Sequence, residues 1–207
     1  MPWPENHRLI YEARHTRLYP PISLTLFNQS IGGKFLRAAA PGAVCHPGQP
    51  AYNAEQCAIV TPRWSTDDFH RDYPVSIMWQ QFNNDTRLPD PDAPCSPDGY
   101  PAYVVNATIK LALDFARTHG VRVIVKSTGH DYQGRSQALG ALSIWARHMG
   151  GLKIYTSFQP RGCQFTIDDS AVTIGGGSAV SDIYDELGKI YQTIVAGSGR
   201  SVGVEAI

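Results

Sequence analysis

The sequence lacks long apolar runs, and nowhere in its 207 residues is there a stretch of about 18 apolar residues that could cross a bilayer. Its first eight residues also lack the charged start and apolar core of a secretory signal. The 18 basic and 18 acidic residues cancel, so the net charge gives no field that would favour nucleic acid or an anionic membrane. We therefore expect a small molecule as the partner, with no nucleic acid and no membrane.

Several familiar site patterns are missing as well. No Gly-x-Gly-x-x-Gly follows a first strand, and no Gly-x-x-x-x-Gly-Lys occurs. No Cys-x-x-Cys or Cys/His cluster indicates a metal. These absences argue against a Rossmann dinucleotide site, a Walker-type phosphate loop and a structural zinc site.

Cysteine is scarce but even in number, and glycosylation acceptors are in mild excess. Acceptor patterns begin at three positions, Asn28, Asn84 and Asn106, and the four cysteines are Cys45, Cys57, Cys95 and Cys163. Four cysteines allow three disulfide connectivities, of which a local Cys45–Cys57 pair is favoured. Four buried free thiols in a cytosolic protein remain the alternative. The two features together predict a secreted protein whose signal is not in this chain.

The sequence pattern changes from irregular to regular near residue 98. Residues 1–98 are expected to form an irregular N-terminal extension, ending in a proline-rich linker at 89–97 that continues neither a helix nor a central strand. From residue 99 to 207 the pattern is regular enough to predict a folded domain.

Hydrophobic periodicity places the elements of that domain. A helix over about 108–119 is predicted, with Thr108 as its N-cap and Gly120 at its end. A second helix should start at Ser181. Strands are expected over 102–105, 121–125, 139–145 and 193–195, and 164–167 should pair with 171–174 as a hairpin.

Two loops of small residues each follow a predicted strand. In the first, Ser127, Thr128, Gly129 and Gly134 would let the backbone approach an anionic pyrophosphate closely enough for its N–H groups to bind oxygen atoms. The second loop covers residues 196–203. Glycine content alone leaves two ordinary surface turns as an equal alternative.

The first loop carries a longer and more specific pattern. The segment from Val123 to Ser136, VIVKSTGHDYQGRS, is followed by the apolar run ALSIW at 141–145. Together they closely resemble the flavin-attachment segment of berberine-bridge-enzyme-like FAD-linked oxidases, within the vanillyl-alcohol oxidase/p-cresol methylhydroxylase (PCMH) superfamily. The resemblance is strongest to the secreted fungal branch and extends to residues 27–33, 45–57, 100–106 and 201–203.

The resemblance implies an α+β fold, the first part of a PCMH-type FAD-binding domain with small mixed sheets flanked by helices. It also implies FAD bonded covalently through His130, because a neutral imidazole nitrogen can attack the activated 8-methyl carbon. Asp131 would orient either the loop or the imidazole. The cofactor-binding residues expected from it are Ser127, Thr128, Gly129, His130, Asp131, Gly134, Arg135, Ser136, Gly199, Ser201, Val202 and Gly203.

The second loop departs from the family pattern. Many relatives carry a cysteine there that makes another bond to the flavin, and Gly199 occupies that position in this sequence. The resemblance therefore implies a single covalent link, and Cys163 is not expected to bind flavin. The branch also tends to have a cysteine near Arg87, whose absence leaves the partner of Cys95 open.

Two functions follow from the resemblance. The first is part of an FAD-linked oxidoreductase that transfers hydride from an alcohol, sugar or alkaloid-like donor to flavin, with oxygen as electron acceptor. The second is a truncated flavin-binding module without catalysis, because relatives place the catalytic base and substrate domain beyond the matching segment. For the chain as given, we expect no turnover and no catalytic residue within it.

Overall fold

The computed structural model describes residues 18–37, 39–96, 99–106 and 108–204. Its main sheet has the strand order β1-β2-β4-β3, with strands β1 Phe35–Leu36, β2 Tyr103–Asn106, β3 Val123–Lys126 and β4 Leu142–Trp145. Strands β2, β4 and β3 are parallel, whereas β1 pairs antiparallel with β2. The helices are α1 Pro21–Ser30, α2 Ala54–Arg63, α3 Asp67–Asp72, α4 Ile109–His119 and α5 Val180–Gly188. The α+β class is as predicted.

The sheet is buried on both faces because β-branched and aromatic residues fill its inner strands. One core cluster packs α1 and α4 against Val105, Leu142 and Ile144. A second cluster lies around Val104 and Trp145 on the opposite side. All four residues of β4 are buried, as expected for an inner strand of a parallel sheet. Within the described residues, no helix is both long and apolar enough to cross a membrane.

Helix α4 confirms the periodicity of its sequence. Ala112, Phe115 and Ala116 are buried on one face, and Gly120 ends the helix in the left-handed region at φ 65°. The expected N-cap bond is absent: Thr108 occupies the N-cap position, but its hydroxyl accepts from no N–H group of the helix and donates to the Asn106 carbonyl oxygen. Helix α4 connects β2 to the edge strand β3, as a crossover between parallel strands requires.

The expected hairpin between 164–167 and 171–174 is wrong in its first strand. Strand β6 Ala171–Ile174 pairs instead with β5 Leu152–Tyr155, a register that sets Leu152 opposite Ile174 and Ile154 opposite Val172. These apolar cross-strand contacts favour that pairing. Ile167 makes only an isolated bridge to Phe158.

Two further expectations near the second loop are corrected. Helix α5 begins at Val180 with Ala179 as N-cap, so Ser181 lies inside its first turn. The N–H groups of Val180 and Ser181 donate to the carbonyl oxygens of Val202 and Arg200, which replace a side-chain cap. Residues 193–195 form no strand, and Val195 is fully exposed, because no described strand pairs with them.

The described part of residues 1–98 is more regular than expected. It contains α1, α2, α3 and β1, and β1 joins the main sheet through β2. The sequence signals were weak because the helices are short and Pro21 and Pro62 lie within them. Residues 1–17, 38, 97 and 98 lie outside the described residues. The division of the chain at residue 98 stays a prediction.

The cysteines follow the favoured pairing. Cys45 and Cys57 form a disulfide that ties the 3-10 turn at Pro41–Cys45 to α2. Cys95 and Cys163 are free thiols, so the second disulfide that the count allows is absent. Arg87 neighbours the Cys95 thiol, whose pKa is raised by burial in spite of the guanidinium.

Candidate functional site

The first small-residue loop follows the carboxyl end of β3. Strands β2, β4 and β3 are parallel, so their carboxyl ends lie at the same edge of the sheet. Open parallel sheets bind ligands outside this edge, where no side chain of the strand itself fills the space. The segment 127–136 is therefore in the position that a cofactor loop requires.

Backbone donors in this loop are available. Within the described part of the chain, the N–H groups of Thr128, Gly129, His130 and Asp131 have no hydrogen-bond acceptor. The carbonyl oxygen of Gly129 accepts from Met78 N at 3.1 Å, which fixes the loop against the preceding segment. Successive unpaired N–H groups of this kind can bind an anion.

Gly129 is required by packing as well as by conformation. Its φ is +88°, and a methyl group there would lie 3.2 Å from the Ile77 Cα atom and from the Ser76 carbonyl oxygen. A larger residue would push the loop off this segment. The sequence argument assigned this glycine to close approach by a ligand, whereas the structure brings the chain's own backbone close to it.

His130 lies half-buried between the two loops. Its Nε2 atom is 2.8 Å from the Ser201 hydroxyl, and that hydroxyl donates to Asp67 Oδ2 at 2.7 Å. Burial lowers the pKa of His130, and the Asp67 carboxylate opposes that shift without cancelling it. The imidazole is therefore neutral at neutral pH, the state that can act as a nucleophile.

Asp131 orients the loop and not the imidazole. Its carboxylate accepts from the N–H groups of Gln133 and Arg135 at 3.1 and 2.7 Å, and it also pairs with the Arg135 guanidinium. The Arg135 hydrogen bonds hold the pKa of the Asp131 carboxyl below its usual range. The turn that follows His130 is thus closed by a single carboxylate.

Two further residues of the first loop, Gly134 and Ser136, pack against the rest of the protein. Gly134 has φ +72°, and a methyl group there would lie 2.4 Å from the Phe82 ring. Ser136 is buried, while the Arg135 side chain is mostly exposed. Ser127 donates to the Gly176 carbonyl oxygen at 3.4 Å, which links this loop to the chain before α5.

The second loop lies beside the first. Gly203 N donates to the Thr128 hydroxyl at 3.1 Å, and a methyl group at Gly203 would lie 3.2 Å from the Ser127 hydroxyl. Val202 contributes its carbonyl oxygen to the start of α5. Gly199 is exposed and precedes Val202 and Gly203, the residues that make these contacts.

Lys126, the last residue of β3, is fully buried, and its side chain packs against the loop, where a methyl group at Gly129 would lie 3.2 Å from the Lys126 Cε atom. Its Nζ donates to the carbonyl oxygens of His70, Arg71 and Tyr73 at 3.1, 3.1 and 2.9 Å, at the end of α3. Burial lowers the pKa of Lys126 to about 7. Because its N–H groups donate to the three carbonyl oxygens at the end of α3, Lys126 connects β3 to α3 and is not a phosphate ligand.

A second connection to α3 is made by Arg147. Its guanidinium bonds to Asp72 at 3.1 Å, to Asp182 at 2.9 Å and to the Gly177 carbonyl oxygen at 3.0 Å. The side-chain hydrogen bond from Arg71, assisted by Arg147, lowers the pKa of Asp72 to about 2. These contacts hold α3 and α5 on either side of a polar cleft of about 570 Å³ that Asp67 and Ser201 also line.

Sequence reasoning missed Asp67 and Trp79. Asp67 is 134 residues from Ser201 in the chain, so no local spacing could relate them. Trp79 Nε1 donates to the His130 carbonyl oxygen at 3.2 Å, and its ring stacks on the exposed Tyr132 ring at 4.9 Å. Both residues come from the stretch that was expected to be irregular.

Comparison with known proteins places this geometry in context. No protein-family model matches the chain. An uncharacterized FAD-linked oxidoreductase of Arthroderma benhamiae is 34% identical over 192 residues, which are 86% of this chain and 33% of the relative. The VAO-type flavoprotein oxidase VAO615 of Thermothelomyces thermophilus is 31% identical over 187 residues, 86% of this chain and 32% of the relative.

Solved structures agree with the sequence relatives. The crystal structure of the VAO-type flavoprotein MtVAO615 from Myceliophthora thermophila C1 superposes with a TM-score of 0.79 at 29% identity, covering 90% of this chain and 35% of that one. The chain spans about a third of the length of the curated relatives that it matches. The expected fold is confirmed by this superposition.

Proposed function

Because the chain is related over most of its length to FAD-linked oxidoreductases of the VAO type, we propose that it is the FAD-binding portion of such an enzyme. The proposed reaction oxidises an alcohol, sugar or alkaloid-like donor, with oxygen as the electron acceptor. FAD, when bound, supplies the hydride acceptor of that reaction. The observation that carries the proposal is the open donor loop at the end of β3, with His130 held between the two small-residue loops.

The described residues fit a dinucleotide. The unpaired N–H groups of residues 128–131 would bind pyrophosphate oxygens, and the bond between Thr128 and Gly203 holds the second loop beside them. The hydrogen bond from Arg135 N to the Asp131 carboxylate closes the turn that follows this donor set. We propose that Arg135, Ser136 and Val202 line the site, because they belong to these two loops.

His130 is the proposed point of covalent attachment. Burial keeps its imidazole neutral, the state that can act as a nucleophile, and the ring lies against Ser201 of the second small-residue loop. Gly199 provides no thiol, and no cysteine occurs in residues 196–204. We therefore propose a single covalent bond, through His130.

In-gel fluorescence tests this proposal. A polypeptide containing residues 1–207 is expressed with FAD, denatured and separated, and flavin fluorescence of the protein band is recorded. The wild-type band should fluoresce and His130→Ala should not. The matched control His148→Ala changes an exposed histidine that bonds to Asn106 and should fluoresce as wild type. A dark wild-type band, or equal fluorescence in His130→Ala, would refute covalent attachment at His130.

A flavin-binding module without turnover is the second candidate. The two candidates differ in the fate of bound flavin. Anaerobic mixing with primary alcohols and with sugars should bleach the flavin absorbance if the polypeptide is an oxidoreductase. Flavin that binds but stays oxidised with every donor would favour the module.

Secretion and glycosylation are also proposed, and the three acceptor sites differ in accessibility. Asn84 is exposed, whereas Asn28 is half-buried and its Oδ1 accepts from Phe35 N. Asn106 is half-buried and bonds to His148. Glycan mapping after expression in a fungal secretory host should find Asn84 as the most occupied site, and an unglycosylated secreted product would contradict the proposal.

A further inference from the structure

Three side chains from distant parts of the chain form a continuous hydrogen-bonded line at His130. Asp67 starts α3, Ser201 belongs to the second loop, and His130 to the first. The two contacts measure 2.7 Å between Asp67 Oδ2 and the Ser201 hydroxyl and 2.8 Å between that hydroxyl and His130 Nε2. Ser201 is only 7% exposed, so water competes little for its hydroxyl.

The direction of the hydrogen bonds follows from counting protons. An ionised carboxylate only accepts, so the single Ser201 proton is donated to Asp67. The Ser201 oxygen can then only accept from the imidazole, and His130 Nε2 must carry a hydrogen. The neutral ring has one such hydrogen, so Nδ1 holds a lone pair. Among the described residues, Nδ1 has no hydrogen-bond partner.

We propose that Asp67, acting through Ser201, is a positioning residue and proton acceptor that makes His130 Nδ1 the nucleophile for flavin attachment. The inference rests on the proposed function, because it concerns the same site. Neither residue would touch the reacting atoms, since both lie on the Nε2 side of the ring. The arrangement resembles, in role only, the carboxylate that fixes a catalytic histidine in hydrolases.

The attachment balances as follows. A bond forms between Nδ1 and the 8-methyl carbon, and one C–H bond of that methyl breaks with loss of a proton. The nitrogen lone pair makes the new bond, so the cofactor would gain two electrons. Dioxygen would take up these two electrons with two protons, equal in number to those released from the methyl group and from Nε2, and leave as hydrogen peroxide. Alkylation at Nδ1 makes the Nε2 hydrogen acidic, and this proton passes to Ser201 while the Ser201 proton passes to Asp67.

The first experiment measures the tautomer without any flavin. Apoprotein is prepared from a riboflavin-auxotrophic host with ¹⁵N-labelled histidine, and His130→Ala assigns the signal. Wild type should give the Nε2–H tautomer at neutral pH. Ser201→Ala and Asp67→Asn should shift the His130 signal toward a mixture of the two tautomers. An Nδ1–H tautomer in wild type would overturn the proposal.

The second experiment measures the rate of attachment separately from binding. Ser201→Ala and Asp67→Asn should slow covalent attachment by about 100-fold, the usual effect of losing a general base. The Kd of Asp67→Asn for reversible FAD binding should stay within about twofold of wild type. Ser201→Thr keeps a hydroxyl and should restore the rate. Asp68→Asn is the matched control, because Asp68 is adjacent in α3 but pairs with Arg71.

The outcomes separate the two proposals. If wild type forms no flavin bond, the proposed covalent site fails, yet the tautomer experiment still tests the hydrogen-bonded line. If wild type forms the bond and Asp67→Asn forms it at the same rate, the relay is refuted and the covalent site stands. Equal melting temperatures of Asp67→Asn and Asp68→Asn exclude a folding defect as the cause of a slow rate.

Discussion

Replacing Lys126 with methionine is expected to destabilise the fold and to change how its stability depends on pH. Methionine keeps the length and apolar stem of lysine but removes the ammonium that bonds to three carbonyl oxygens at the end of α3. Since α3 begins at Asp67, the same change loosens the element that faces Ser201 and His130.

The magnitude follows from two opposing effects. Each buried carbonyl left without a donor costs about 1–3 kcal/mol. Removing a fully buried ammonium recovers part of its desolvation cost, which is several kcal/mol. The net loss should therefore be about 3 kcal/mol, or roughly 6–12 °C in Tm for a chain of this size.

The pH dependence has a definite sign. Burial lowers the pKa of Lys126 from 10.5 to about 7 in the folded state. Between these values the unfolded chain binds more protons than the folded one, so the contribution of Lys126 to stability rises with pH. The methionine variant has no such group, and its deficit relative to wild type should grow from pH 7 toward pH 10.

Urea unfolding followed by tryptophan fluorescence at pH 6.5 and pH 9.5 measures both effects. Lys34→Met, at an exposed position, is the control and should differ little from wild type at either pH. A Lys126→Met variant as stable as wild type would refute the role of the three carbonyl contacts. A deficit that shrinks at high pH would refute the lowered pKa.

Three further predictions test other parts of the fold. Gly134→Ala should lower the free energy of unfolding by about 1–3 kcal/mol in thermal melts, because its methyl group would meet the Phe82 ring at a positive φ; an unchanged Tm would contradict this packing. Replacing both Cys45 and Cys57 with serine should cost about 3 kcal/mol, since the disulfide closes a loop with a separation of 12 residues, and a reducing agent should lower the Tm of wild type only. Asp72 has its pKa lowered to about 2, so its contribution is present above the ordinary value of 3.8 and is lost as pH falls toward 2; Asp72→Asn should flatten the acid limb of stability against pH, and an unaltered limb would contradict the assignment.

The local features of the fold could be predicted from the sequence. Helix α4 and strands β2, β3 and β4 were predictable because apolar residues recur at the helical period and β-branched residues cluster in short runs. The position of His130 after β3 was equally predictable, because a loop after a buried strand of a parallel sheet opens at its carboxyl end.

Features that depend on distant contacts were not predictable. Strand β6 pairs with β5 and not with the segment 164–167, which is nearer in the chain. This choice depends on which apolar residues meet across the strands. The start of α5 depends on carbonyl oxygens of the second loop, and the fixation of His130 depends on Asp67, far away in the chain. A carboxylate in the first turn of a short helix has no pattern that distinguishes it from its neighbour Asp68.

Peptide mass spectrometry tests the central claim most directly. Trypsin cleaves after Lys126 and Arg135, so His130 is released in the peptide Ser127–Arg135. Digestion of the purified flavoprotein should yield this peptide with FAD attached to His130, and every cysteine-containing peptide should be free of flavin. An unmodified Ser127–Arg135 peptide from protein that holds FAD, or flavin attached to a cysteine, would contradict the account.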